Sequence, residues 1–168
     1  MTWFSHKILT ASFVFSVTGS GIAALFAAVG SVLPDALEGR PNEKNYNDMR
    51  AWRKRHRKNT HWFVPYLVGA ICLLFFSRSH GVKGVDIEAV GYFFQLRNNE
   101  FQYAVISFVI AFIAVGALLH CLQDAICGTI PSFNPSRRIG KRFFVVRSPA
   151  EYVLVGILST MLLYFRLK

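Results

Sequence analysis

Residues 101–124 read FQYAVISFVIAFIAVGALLHCLQD. From residue 101 to residue 119 the run carries no charge, and His120 and Asp124 follow at its edge. A helix needs about 20 apolar residues to cross a bilayer, so the stretch predicts a membrane span. Ionisable groups in such a place are costly and mark a functional site by default. On a helix, residues four apart are separated by about 40° around the axis and lie one turn above each other. His120 and Asp124 can therefore bind one metal ion, or the acid can orient the imidazole through a hydrogen bond. A structural pair that satisfies itself is the other reading.

Working outward, three more segments are poor in charge. Residues 8–33 and 62–77 have none, and residues 148–165 have only Glu151. The chain has 168 residues, 53% of them hydrophobic and 17% charged. That is more apolar and less charged than a typical soluble domain. These features predict an all-α integral membrane bundle, a single domain over residues 1–168 with three to four spans. The 8–33 segment holds Gly19-Ser20-Gly21 in its middle. Glycine costs about 1 kcal/mol inside a helix relative to alanine, and Gly/Ser pairs are common kink sites. The segment is then either one tilted span or two half-helices, roughly 4–18 and 22–32, folded back as a re-entrant hairpin. Hydropathy alone favours the single span. The apolar stretch is too long for a signal peptide, so no cleavage is expected.

The formal net charge is +10. Residues 34–61 hold eight Lys or Arg, residues 128–148 hold five, and residues 78–100 between them hold Arg78, Lys83 and Arg97. Basic loops stay on the cytoplasmic side. Two spans separate the two basic loops, so both are expected there. The Arg53-Lys54-Arg55 run fits anionic lipid head groups. The aromatic residues lie in the apolar segments and are not interleaved with the basic ones, so no nucleic-acid partner is expected. Cys72, Cys121 and Cys127 contain no Cys-x-x-Cys pair and read as small packing residues. His80 lies in the sparse loop and has no assigned role.

The remaining histidines and acids gather at the ends of the apolar segments. Leu33-Pro34-Asp35 closes the first segment, and Glu38 shares a helical face with Asp35 if the chain turns helical after the proline. His56-Arg57-Lys58-Asn59-Thr60-His61 enters the second, where Asn59 or Thr60 can cap the helix and put His61 in its first turn. On a continuous helix His56 and His61 would diverge by about 140°, so they converge only if the chain bends between them. Asp35, His56, His61, His120 and Asp124 thus form a candidate ligand set at one membrane face. Imidazole and carboxylate donors suit zinc, one or two ions, with manganese or iron as other choices. Such a metal brings the pKa of a bound water to about 7 and so supplies hydroxide at neutral pH.

With these motifs the chain resembles the YdjM-like family of membrane-bound metal-dependent hydrolases. The resemblance rests on His6, Leu33-Pro34-Asp35, His56 to His61, the His120-x-x-x-Asp124 pair, and then Gly128, Pro131 and Pro135. It departs where the family has Leu-Pro-Asp-x-Asp-His, because Ala36, Leu37 and Glu38 stand there. Lys58 replaces a glycine, and Trp62 replaces a common serine. The resemblance implies a distant relationship to zinc-dependent phospholipase C and P1 nuclease, and hence hydrolysis of a phosphoester by metal-bound hydroxide. It also brings His6 into the metal site, which requires the hairpin: a single span would put His6 about 40 Å from Asp35. The expected catalytic residues are Asp35, His61 and Asp124. Arg57, Arg137, Arg138 and Arg142 are the expected phosphate-binding residues. The expected substrate is a phospholipid or lipid-linked phosphate, met at the cytoplasmic face of a bacterial inner membrane. The alternatives are a non-enzymatic adaptor with a structural metal site and a transporter component.

Overall fold

Gly19 decides the first half of the fold. The first helix, α1 (Trp3–Thr18), is capped by the Thr2 hydroxyl, which accepts the Ser5 N–H. It stops at Gly19, whose φ of +72° is open to glycine but strained for other residues. Ser20 then caps α2 (Gly21–Gly30) through its hydroxyl, and the two helices pack against each other. The 16 residues of α1 rise about 24 Å, short of a hydrocarbon core of about 30 Å. At the other end the Trp3 indole donates to Asp35 Oδ2 at 2.8 Å, so the chain has come back to its starting level. The hairpin is the correct reading of residues 8–33, and the single tilted span favoured by hydropathy is not. Hydropathy sums apolarity and is blind to a left-handed glycine.

This fold is seen in a computed structural model that describes residues 1–39, 44–82 and 99–168, apart from the side chains of 53–55 and 99. Arg40, Lys83 and Arg97 lie outside the described residues, as do the side chains of the Arg53-Lys54-Arg55 run. Next come α3 (Leu33–Glu38), with Pro34 in its first turn, and α4 (Tyr46–Arg55), capped by Asn45. A 3-10 turn (Asn59–His61) leads into α5 (Phe63–Ser79). His61 therefore precedes the helix rather than sitting in its first turn. The chain continues through α6 (Asn99–Cys127), a two-residue antiparallel pair of β1 (Ile130–Pro131) and β2 (Arg138–Ile139), and α7 (Pro149–Leu167). Among the described residues, three apolar stretches are long enough to cross a membrane: Gly21–Glu38, Glu100–Cys127 and Pro149–Leu167. The 17-residue α5 is apolar but shorter.

The helices are ordered by contact as α5, α6, α2, α1, α7. The tightest approach is between α2 and α6. A Cβ on Gly30 would strike the Ile113 carbonyl, and one on Gly116 would strike the Ala27 carbonyl. Lipid tails are as apolar as leucine, so helices in a bilayer associate through such close contact of small residues. This contact sets the Ser31 carbonyl against His120. At the other side, Ser148 caps α7, and Glu151 stands three residues on. A capping-box glutamate ordinarily returns to the cap residue's own N–H. Here the fully buried Glu151 instead accepts the Thr2 N–H (2.7 Å), the Thr2 hydroxyl (3.0 Å) and the Arg147 N–H (2.8 Å), fastening α7 to the start of α1.

Candidate metal centre

The hairpin brings His6, on the first turn of α1, to the end of α6. His6 and His120 stack at 3.9 Å between ring centroids, and His61 comes to 5.1 Å from His120. All three are fully buried. Their outer nitrogens have acceptors that fix the ring orientation. His120 Nδ1 donates to the Ser31 carbonyl at 2.6 Å. His6 Nδ1 faces Gln123 Oε1 at 2.7 Å, and the Gln123 amide nitrogen donates to the Thr10 hydroxyl, which orients the amide. His61 Nδ1 lies 3.1 Å from the Thr60 hydroxyl. With protons on Nδ1, the Nε2 atoms of His6 and His120 carry lone pairs directed inward.

Those lone pairs meet other acceptors. His120 Nε2 lies 3.2 Å from His61 Nε2, 3.6 Å from Asp35 Oδ1 and 3.8 Å from Asp124 Oδ2. His6 Nε2 is 3.3 Å from Asp124 Oδ1, buried and without a hydrogen-bond partner. Lone pairs pointed at carboxylates repel unless a proton or a cation lies between them. A divalent cation fits this donor set, and outer partners that fix the rings are what metal-binding histidines have. Among the described residues, three groups offer donor atoms all within 4.8 Å of one another: His6, His120 and Asp124; Asp35, His61 and His120; and Asp35, Glu38 and His56. Burial pulls His61 toward its neutral form, but Asp124 and Asp35 more than offset this and hold its pKa above the ordinary 6.5.

Asp124 is the electrostatic hub. Besides His6 it faces His61 Nε2 at 3.5 Å, the Met1 α-amino nitrogen at 2.8 Å and Arg57 Nε at 2.8 Å. The Arg57 N–H is out of line with the carboxylate, so this contact is an ion pair rather than an aligned hydrogen bond. The bend between His56 and His61 is real: Arg57 takes a left-handed φ of +58°, and the two rings meet at 5.6 Å. His56 Nδ1 pairs with Glu38 Oε2 at 2.7 Å, and its ring stacks on Trp52. Glu38, standing where the family carries other residues, thus joins the cluster, with Oε1 buried and unpartnered.

A cavity of about 590 Å³ opens onto the cluster. Its lining includes the polar Asp35, Glu38, His56, Arg57 and Asp124 and the apolar Trp3, Met49, Trp52 and Val146. Of the four arginines expected to bind phosphate, Arg57 lines this cavity. Arg137, Arg138 and Arg142 are exposed and do not. Arg138 instead donates to the Thr129 hydroxyl, the Thr129 carbonyl and the Arg57 carbonyl. Sequence reasoning did not find Ser31, Gln123, Trp3 or Arg147. Ser31 acts through its backbone, which no side-chain pattern reveals. Glu151 did carry a signal, as the lone acid of an apolar segment.

An all-α bundle with membrane-length apolar helices, gathering imidazoles and carboxylates at one end, defines an integral membrane protein with a candidate metal centre. The chain belongs to the YdjM inner membrane protein family, whose sequence profile matches residues 1–167. It matches no curated protein and no solved structure.

Proposed function

We propose that this protein is a metal-dependent hydrolase, a phosphoesterase acting on a phospholipid or lipid-linked phosphate at the cytoplasmic face of the inner membrane. The observation that carries the reading is that the donor cluster opens onto a cavity lined by both polar and apolar residues. A structural zinc site closes around its ion, whereas a catalytic one keeps a position open. His6, His61, His120 and Asp124 with Asp35 would hold one ion, and Asp35, Glu38 and His56 a second. Zinc suits these donors, and manganese or iron also fits. When bound, a divalent cation supplies a Lewis acid and a source of hydroxide at neutral pH.

The chain's own residues account for the rest. Three carboxylates, Asp35, Glu38 and Asp124, would repel a phosphate, so the site accepts such a group only with its cations in place. Arg57 at the wall offers charge-assisted hydrogen bonds to phosphoryl oxygens. Trp3, Met49, Trp52 and Val146 provide an apolar surface for an acyl or prenyl chain. The excess of Lys and Arg in the loops at this end favours the cytoplasmic side. The distant relationship to zinc-dependent phospholipase C and P1 nuclease that the family resemblance implies favours phosphoester chemistry.

Elemental analysis of the detergent-purified protein, beside hydrolysis of a panel of phospholipids and lipid phosphates, tests this. About one to two zinc ions per chain are expected, together with turnover of at least one lipid. His120→Ala and Asp124→Asn should insert into the membrane but lose metal and turnover. Full activity in metal-free protein, or no turnover of any phosphate lipid by metal-loaded protein, overturns the reading.

A further inference from the structure

Among the described residues, two non-glycine positions have left-handed backbone: Arg57 at φ +58° and Arg147 at φ +66°. Both are arginines, they are far apart in sequence, and both line the cavity above the candidate metal centre. A residue with a Cβ is strained in this region. Such strain persists where neighbours over-determine it, and it concentrates at binding sites. Here the neighbours are visible. Arg138 holds the Arg57 carbonyl at 3.0 Å, and the buried Glu151 carboxylate holds the Arg147 N–H at 2.8 Å. Glycine would occupy either position without strain. The guanidinium is therefore what the positions gain from an arginine.

The two guanidinium groups are used differently. Arg57 is committed to Asp124, and its Nη1 packs where a Cβ on Gly128 would lie. The Arg147 guanidinium has no hydrogen bond or ion pair among the described residues. Arg147 is exposed and only its backbone is held. Its guanidinium, with no counter-ion among the described residues, is therefore available to an anionic ligand at the cavity it lines. The planar fork of arginine matches a phosphoryl group with two parallel N–H bonds. We propose that Arg147 is a further anion-binding residue of the cavity, beside Arg57, and that its ligand is a tetrahedral oxyanion, the phosphoryl group of the substrate. The identity of the anion rests on the phosphoesterase reading. The existence of the anion site does not.

The test uses zinc-loaded full-length protein in detergent, titrated with inorganic phosphate by calorimetry, with metal content and thermal midpoint measured on each variant. Arg147→Gly relieves the backbone strain. It should keep its metal and an equal or higher midpoint, yet bind phosphate at least about tenfold more weakly, the loss expected for a charge-assisted hydrogen bond. Arg147→Lys keeps the charge without the fork and should fall between. Lys141→Ala, a loss of charge in the same loop outside the cavity, should bind phosphate as the parent does. Parent-like phosphate binding in Arg147→Gly overturns the proposal, as does a loss of phosphate binding that comes with loss of metal or of fold. If phosphate binds through Arg147 but no phosphate lipid is turned over, the anion site stands and the phosphoesterase reading falls.

Discussion

The two ends of the histidine–carboxylate cluster are built differently. The inner end takes His6 and His120 from α1 and α6, with no exposed surface on either side chain, and each ring is held by an acceptor that itself sits in packed structure. The outer end takes His56 from the close of α4, with its side chain 26% exposed, steadied by Glu38 and by stacking on Trp52. Most residues of α4 with described side chains are exposed, and Trp52 ties it to the Gly39 carbonyl. Inner ligands need no rearrangement to meet an ion, whereas outer ligands ride on a lightly held helix. On the proposed reading, affinity would therefore belong to the inner end, and exchange with solvent and substrate to the outer.

The largest expected contrast is between Asp124→Asn and His56→Ala. Asp124→Asn should lower metal affinity by more than about a hundredfold, beyond the loss typical of an outer partner, and leave both positions empty in equilibrium dialysis. His56→Ala should empty the outer position alone. Equal loss of metal in both variants would show the two ends to be one unit. Gln123→Leu removes the acceptor that fixes the His6 ring and should weaken inner binding about tenfold without removing a ligand. An unchanged affinity would mean that the ring is held by packing alone.

The smallest effect is in pH. The pKa of His61 is raised in the metal-free fold. Its contribution to stability is then complete below pH 6.5, its ordinary value, and is lost as the pH rises through the raised value. With metal bound the direction reverses, because protons compete with the ion for the imidazole and binding weakens as the pH falls. Thermal midpoints at pH 6 and pH 8, with and without zinc, should therefore show opposite contributions. The same sign in both states would remove His61 from the ligand set.

Much of this was legible in the sequence because chemistry left marks at regular spacing. The His120–Asp124 pair announced itself as charge at the edge of an uncharged run. Asp35 and Glu38 fall on one face if the chain turns helical after Pro34, and the helix begins one residue before the proline, at Leu33. The turn at Gly19 was visible only as an ambiguity, and what favoured the hairpin was the need to bring His6 to Asp35. That Arg137, Arg138 and Arg142 stand outside the cavity lining was not legible, because composition counts a guanidinium without saying where it is spent. The holding of His120 by the Ser31 carbonyl was unreadable for a deeper reason. It depends on how closely Gly30 and Gly116 let two backbones approach, a property of the pair rather than of either segment.

Glu151 has a consequence for how the molecule is made. The carboxylate that anchors Thr2, and with it the placement of His6, belongs to α7, which leaves the ribosome after α1 to α6. The nascent chain inserts its first hairpin long before this clasp exists, so the order of translation and the order of completion run in opposite senses. The candidate metal centre is complete only once α7 has closed over α1.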